Sequence, residues 1–178
     1  MTNFKQIKVT ELQENPFSLI GTDWMLITAG DFSNKDGKPG EKSYNTMTAS
    51  WGGLGILWNK PVAFVFIRPQ RHTITFTEKQ DNFTLSFFDE TYRKALTLCG
   101  SKSGKDIDKA KEANLSPITL QSGAVTFSEA RLVLECKKLY KDWIKKDSFV
   151  TEELLEKNYP NEDFHSCYIA EITAAWTK

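Results

Sequence analysis

The sequence has few of the residues from which common enzyme sites are built. It holds two histidines, His72 and His165, with no H-E-x-x-H pairing and no G-x-S-x-G elbow, so zinc hydrolysis and serine-triad chemistry lack their parts. Its three cysteines, Cys99, Cys136 and Cys167, are widely spaced and never form C-x-x-C. Neither a disulfide framework nor a zinc site is signalled, and the cysteines read as core thiols of a protein in a reducing cytoplasm. An excess of one charge is also missing. Lys+Arg 23 balance Asp+Glu 23, so no overall positive field exists to attract nucleic acid or an acidic membrane surface. No apolar run approaches the ~18–20 residues of a membrane span, and residues 1–8 are too polar for a signal peptide. A soluble cytoplasmic protein is expected.

Two glycine motifs resemble nucleotide loops and miss. Gly53-Leu54-Gly55-Ile56-Leu57-Trp58 puts an indole where a dinucleotide fingerprint needs its third glycine. Gly100-Ser101-Lys102-Ser103-Gly104-Lys105 is one residue short of a phosphate loop, and Asp106 stands where a magnesium-binding hydroxyl belongs. With no acid, base or nucleophile constellation in view, a borrowed cofactor is the economical route to redox activity.

At 178 residues, 40% of them hydrophobic, the chain can bury one substantial core, and a single domain over residues 1–178 is expected. Residues 1–21 read as a leading arm with little independent structure. Residues 31–43, rich in Gly, Lys, Asn and Asp, read as an exposed loop. Strands are expected at residues 24–29, 44–51, 62–67, 82–88, 130–144 and 166–176, with Gly52, Gly53 and Gly55 breaking the second. Short helices are expected at 72–79, 91–98, 106–113 and 152–157, Asn114 ending the third. Strands outnumber helices and no βαβ repeat is visible, so the fold class is mainly β with peripheral short helices, a closed or nearly closed antiparallel barrel.

Two segments carry donors suited to an anion. Residues 45–52 place Asn45, Thr46, Thr48 and Ser50 at a strand end ahead of a glycine turn. Residues 101–105 combine Ser101, Ser103, Gly104 and Lys105 at a helix start, with Lys109 on the same helical face. Arg68 and Arg71 follow the most apolar strand, where a rigid scaffold presents ligand contacts. Each has a plainer reading, respectively a turn, a solvated helix face and arginines capping a strand.

Taken in order, five pieces resemble the flavin reductase-like family, particularly its flavoredoxin-like branch with an FMN-binding split β-barrel. They are Asn45-Thr46-Met47-Thr48-Ala49-Ser50-Trp51-Gly52, the strand ending in Arg68-Pro69-Gln70-Arg71-His72-Thr73, Phe83-Thr84-Leu85-Ser86-Phe87-Phe88, Gly100-Ser101-Lys102-Ser103-Gly104-Lys105-Asp106-Ile107-Asp108-Lys109, and Leu134-Glu135-Cys136. The resemblance implies FMN at a homodimer interface. Asn45, Thr46, Thr48, Ser50 and Trp51 would line the ring and ribityl chain, and Arg68, Arg71, Thr73, Ser103, Lys105 and Lys109 would hold the phosphate or polar tail. Met47 and Ala49, alternating with the hydroxyl residues, would face the core.

The family's Asp-His pair is separated here as Asp163-Phe164-His165, and Ala170-Glu171 stands where Gly-Glu is usual. His165 as a substrate contact to the ring or nicotinamide is therefore set against a plainer reading, a partly exposed structural histidine. The resemblance implies an NAD(P)H-dependent flavin reductase, with NADH or NADPH as reductant and a protein or small molecule as electron acceptor. The alternatives are an FMN electron carrier reduced by a partner protein, without a nicotinamide reaction of its own, and a scaffold binding some other phosphate ligand.

Overall fold

The apolar run after Pro61 organises the sheet. In the computed structural model, which describes residues 3–178, this run is β5 (Lys60–Ile67), paired with β4 (Gly52–Leu57) on one side and β10 (Ser166–Thr177) on the other. The remaining strands of the main sheet are β1 (Lys5–Ile7), β2 (Met25–Gly30), β3 (Tyr44–Ala49), β6 (Asn82–Phe87) and β9 (Leu132–Trp143). They run in the order β3-β2-β6-β9-β10-β5-β4, with β1 added to β10. β3 and β4 stand at opposite ends of this path, yet Ser50 and Trp51 alone separate them in the chain. A two-residue link spans at most ~10 Å, so the sheet must roll until its ends meet. The mainly β architecture with short peripheral helices is as expected.

Alternation sends the strand residues to two apolar clusters. Met25, Ile27 and Ala29 of β2 join Leu85 of β6, Leu134 of β9, Val65 of β5 and Tyr168 of β10 inside the barrel. Leu26 and Val133, on the opposite face of the same strands, pack with Leu96 and Cys99 of α3 (Arg93–Ser101) and with Phe127. β2 and β9 are therefore covered on both faces where the helix lies. Phe127 belongs to a small hairpin, β7 (Pro117–Thr119) and β8 (Val125–Phe127), which the sequence reading does not anticipate.

The other helices are short: α1 (Pro16–Ser18), α2 (Ile74–Lys79), α4 (Lys109–Glu112) and α5 (Glu152–Asn158). α4 begins three residues later than expected. Asp106 and Ile107 turn back onto the Ser103 carbonyl, and the side chain of Asp108 caps the helix at the Lys111 amide. Asn114 follows its end at φ 52°. The loop at 31–43 is largely exposed, as expected.

Two expectations are corrected. The leading arm is docked: β1 pairs with β10 from Lys5↔Thr177 to Ile7↔Ala175, and Leu19 and Ile20 are buried in the barrel core. Its sparse apolar residues find partners only in the folded sheet, which no local pattern reveals. The glycines at 52, 53 and 55 do not end the strand region; they form β4. Gly53 lies opposite Phe64 in β5, whose ring would be 3.5 Å from a Cβ on Gly53 and 3.8 Å from one on Gly55. The aromatic ring covers backbone that the glycines leave bare.

Gly52 is the tightest of the three. Its φ is +152°, and a Cβ there would meet the Phe64 carbonyl oxygen at 2.6 Å. Gly52→Ala is expected to lower stability by about 1–3 kcal/mol, read as a reduced denaturant midpoint. An unchanged midpoint would mean that the seam between β3 and β4 is looser than described.

Candidate functional site

β3 starts in the interior and ends at the surface. Tyr44 to Met47 are buried, Thr48 to Ser50 are half-buried, and Trp51 reaches solvent with 51% of its surface exposed. This emerging end forms one wall of a cleft of about 200 Å3. Phe66 from β5, His165 from the residue before β10, and Arg68 and Arg71 from the turn after β5 supply the other walls. Of the residues expected to hold a cofactor, Thr48, Ser50, Trp51, Arg68 and Arg71 line this cleft, and His165 joins them. Met47 and Ala49 also touch it while packing on the barrel core.

The remaining expected contacts lie elsewhere. The Asn45 amide donates to the Thr73 hydroxyl at 2.8 Å, and Thr46 and Thr28 share a 2.8 Å hydroxyl contact; all four are buried. Their polar groups are satisfied within the protein. Ser103 accepts the Lys105 amide at 3.2 Å, and Lys105 itself is exposed. The loop carrying them is pinned at Gly104, where a Cβ would fall 1.9 Å from Asn45 Oδ1. Its carbonyl accepts the Gly40 amide at 2.9 Å, which ties it to the 31–43 loop.

Three cations lie near the end of α3, and they are not equivalent: Arg68 and Arg71 line the cleft, whereas Lys109 is buried outside its lining. Arg68 is paired with Asp163, donates to the Asn158 carbonyl at 2.8 Å and sits 5.3 Å from the Tyr159 ring centre. Arg71 donates to the carbonyls of Gly100 at 2.7 Å and Cys99 at 3.3 Å. Lys109, only 5% exposed, donates to the Cys99 and Thr46 carbonyls, each at 2.8 Å. Neither Arg71 nor Lys109 has a carboxylate partner among the described residues. Free carbonyls at a helix C-terminus favour cations, but a buried ammonium and a half-buried guanidinium sharing one neutral carbonyl leave charge uncompensated. Burial first, and Arg71 second, bring the Lys109 ammonium down to about 8.

His165 is buried rather than partly exposed, at 7%. Its Nδ1 lies 2.8 Å from the Tyr159 hydroxyl, and its ring centre is 5.3 Å from that of Trp51. Burial, then the Arg68 charge, push it down to about 4, so it is a neutral ring at physiological pH. His72 lies apart, beside a water-sized space that also touches Tyr44 and Lys109. Its Nδ1 and the Tyr44 hydroxyl are buried without a protein partner. Burial, then Lys105 and Lys109, lower its basicity. Sequence reasoning misses Tyr159 and Phe66. A tyrosine at a helix end and a phenylalanine in an apolar strand carry no local sign of a site.

The comparisons with known proteins follow this geometry. Residues 17–178 match the model of the flavin reductase like domain. Among solved structures, the chain is similar to an FMN-binding domain of a flavin reductases-like enzyme from Shewanella baltica, with TM-score 0.65 and 15% identity over 99% of this chain and 78% of the other. It is similar to flavoredoxin of Desulfovibrio vulgaris (TM-score 0.64, 19% identity, 98% and 77% covered). It is also similar to an NADH:FAD oxidoreductase of Streptomyces globisporus (TM-score 0.60, 15% identity, 88% and 75% covered). No curated protein sequence matches.

Lys109 generates a pH prediction. In the folded chain it loses its proton at about 8, whereas the unfolded chain holds it to about 10.5. Between those values the unfolded state binds the extra proton, so raising the pH stabilises the folded state. Wild-type protein is expected to gain stability relative to Lys109→Met from pH 8 to 10, with a slope approaching ~1.4 kcal/mol per pH unit. Parallel urea-unfolding series whose difference stays flat across that window would refute the uncompensated charge.

Proposed function

The chain belongs to the flavin reductase-like domain family, and on that premise we propose that it holds FMN non-covalently and passes electrons from NADH or NADPH through it to an acceptor. The observation that carries this reading is the juxtaposition at the end of β3. An exposed indole and Phe66 offer flat apolar surface, and Arg71, which lines the same cleft and shares the Cys99 carbonyl with the buried Lys109 behind it, lacks a carboxylate among the described residues. A flat aromatic ligand with an anionic tail matches both halves. The similar structures named as an FMN-binding domain and as an NADH:FAD oxidoreductase support the assignment.

Bound flavin supplies the two-electron chemistry that the side chains of the cleft lack. The protein's part is binding and electrostatics. Trp51 provides a stacking face, Ser50 a rim hydroxyl with no side-chain hydrogen bond among the described residues, and Arg71 a guanidinium with N–H groups to spare beyond its two carbonyls. The Thr48 hydroxyl donates its hydrogen bond to the Leu96 carbonyl, so toward a ligand it can only accept. His165, neutral near pH 7, adds no charge. A protein-reduced electron carrier is the second reading, favoured by the likeness to flavoredoxin.

A homodimer belongs to the same proposal. The cleft of about 200 Å3 is smaller than the ~300–1,000 Å3 usual for small-molecule sites, so one chain supplies part of a pocket. The outer face of β5, β10 and β9 carries Phe64, Ile169 and Tyr140 in one row, with Phe66, Cys167 and Asp142 in the next. A fully solvated face would not hold three large apolar side chains in one row; here charged residues flank that row, as at the rim of an interface. Because Phe66 belongs to both this face and the cleft, a second copy seated here would wall the site.

Protein loaded with FMN is expected to be yellow and to bleach anaerobically on adding NADH or NADPH. Bleaching only with a partner reductase would select the carrier reading, and no FMN binding would refute both. Trp51→Ala should weaken FMN affinity about 2- to 10-fold, the worth of one aromatic pair, as read by flavin fluorescence quenching. Ile169→Lys should convert a dimer to monomer by sedimentation and weaken FMN binding with it. A monomeric wild type would overturn the dimer.

A further inference from the structure

The geometry points to Tyr159 as a positioning residue that presents the Nε2–H of His165 to the cleft as a fixed donor, suited to a ligand offering a carbonyl oxygen or an unprotonated ring nitrogen. Tyr159 is 6% exposed, and His165 Nδ1, at 2.8 Å, is the hydrogen-bonding partner of its hydroxyl among the described residues. A buried phenol must place its proton on an acceptor, and here the acceptor is Nδ1. If Nδ1 carried a proton and donated it to the hydroxyl, the phenolic hydrogen would be left buried without a partner. The ring proton therefore sits on Nε2. Nε2 has no protein partner among the described residues and is not among their sealed, unpartnered polar atoms, and the ring lines the cleft beside Trp51.

Tyr159 is itself held firmly. Its ring stacks on Phe164 with centres 4.9 Å apart, Phe149 meets it at 5.8 Å, and the Arg68 guanidinium covers it at 5.3 Å. Asp163 fixes Arg68 in turn and accepts from Gln70 at 2.7 Å. The segment between β9 and β10 thus sets the polarity of one cleft wall: it donates, without charge.

The identity of the ligand rests on the flavin reading; the ring's protonation pattern does not. With two histidines in the chain, nitrogen-edited proton NMR of FMN-free protein at neutral pH can assign His165 by comparison with a His72→Gln variant. A single Nε2–H tautomer is expected, and an Nδ1–H tautomer would overturn the proposal without need of any Tyr159 variant. On titration with FMN the Nε2 signal should shift; bound FMN with that signal unmoved would overturn the ligand-facing role. Tyr159→Phe should mix the tautomers and weaken FMN binding roughly 3- to 10-fold. In a His165→Ala background the same change should have no further effect, whereas additive losses would mean a merely structural tyrosine. Protein that binds no FMN would defeat the functional reading and leave the tautomer to be decided by the spectrum alone.

Discussion

The structure depends on one constraint of chain length. β3 and β4 close opposite ends of the sheet order, and the chain has two residues with which to pass between them. Every other strand must then curve to bring those ends together. The seam cannot be smooth, because β3 leaves the interior there as β4 arrives over the ring of Phe64. Ser50 and Trp51 are turned outward at this seam, and the open space beside them becomes the cleft. Barrel closure and the cleft are two results of the same short link.

The electrostatics follow from where α3 ends. Its C-terminal carbonyls point toward the seam, and the turn after β5 and the start of α4 each send a cation to them. Arg68, one turn away, is neutralised by Asp163. The contrast separates a guanidinium that braces the scaffold from two cations whose charge is left for something else to balance. Uncompensated buried charge is unfavourable for an isolated domain, and ionisable groups perturbed in this way cluster at functional sites.

Much of this is legible in the sequence, and the failures have physical causes. The uninterrupted apolar run from Val62 to Ile67, bracketed by prolines, and the alternation from Leu132 to Cys136 identify β5 and β9, since both are local patterns. Gly52, Gly53 and Gly55 read as a break because the ring that makes them a strand comes from a neighbouring strand. Asn45 and Thr46 carry donors early in β3, but Asn45 is paired with Thr73 and Thr46 with Thr28, outside the lining of the cleft. Residue type shows what a side chain can donate, not which face it leaves by. His165 is visible as a candidate, yet its burial and its tyrosine depend on how the residues between β9 and β10 fold back.

The place of β10 in the sheet has a consequence for how the chain reaches this state. β10 lies between β9 and β5 and also holds β1, and it spans 12 residues near the carboxyl end. Until Ser166–Thr177 has been synthesised, no described strand pairs with both β9 and β5 to join the two halves of the order. The earlier strands can form hairpins and a partial sheet, with Phe64 and Val65 exposed along an open edge. Assembly of the barrel is therefore a late, cooperative event dominated by distant pairings, a topology that folds slowly and leaves nascent chains in need of protection from one another.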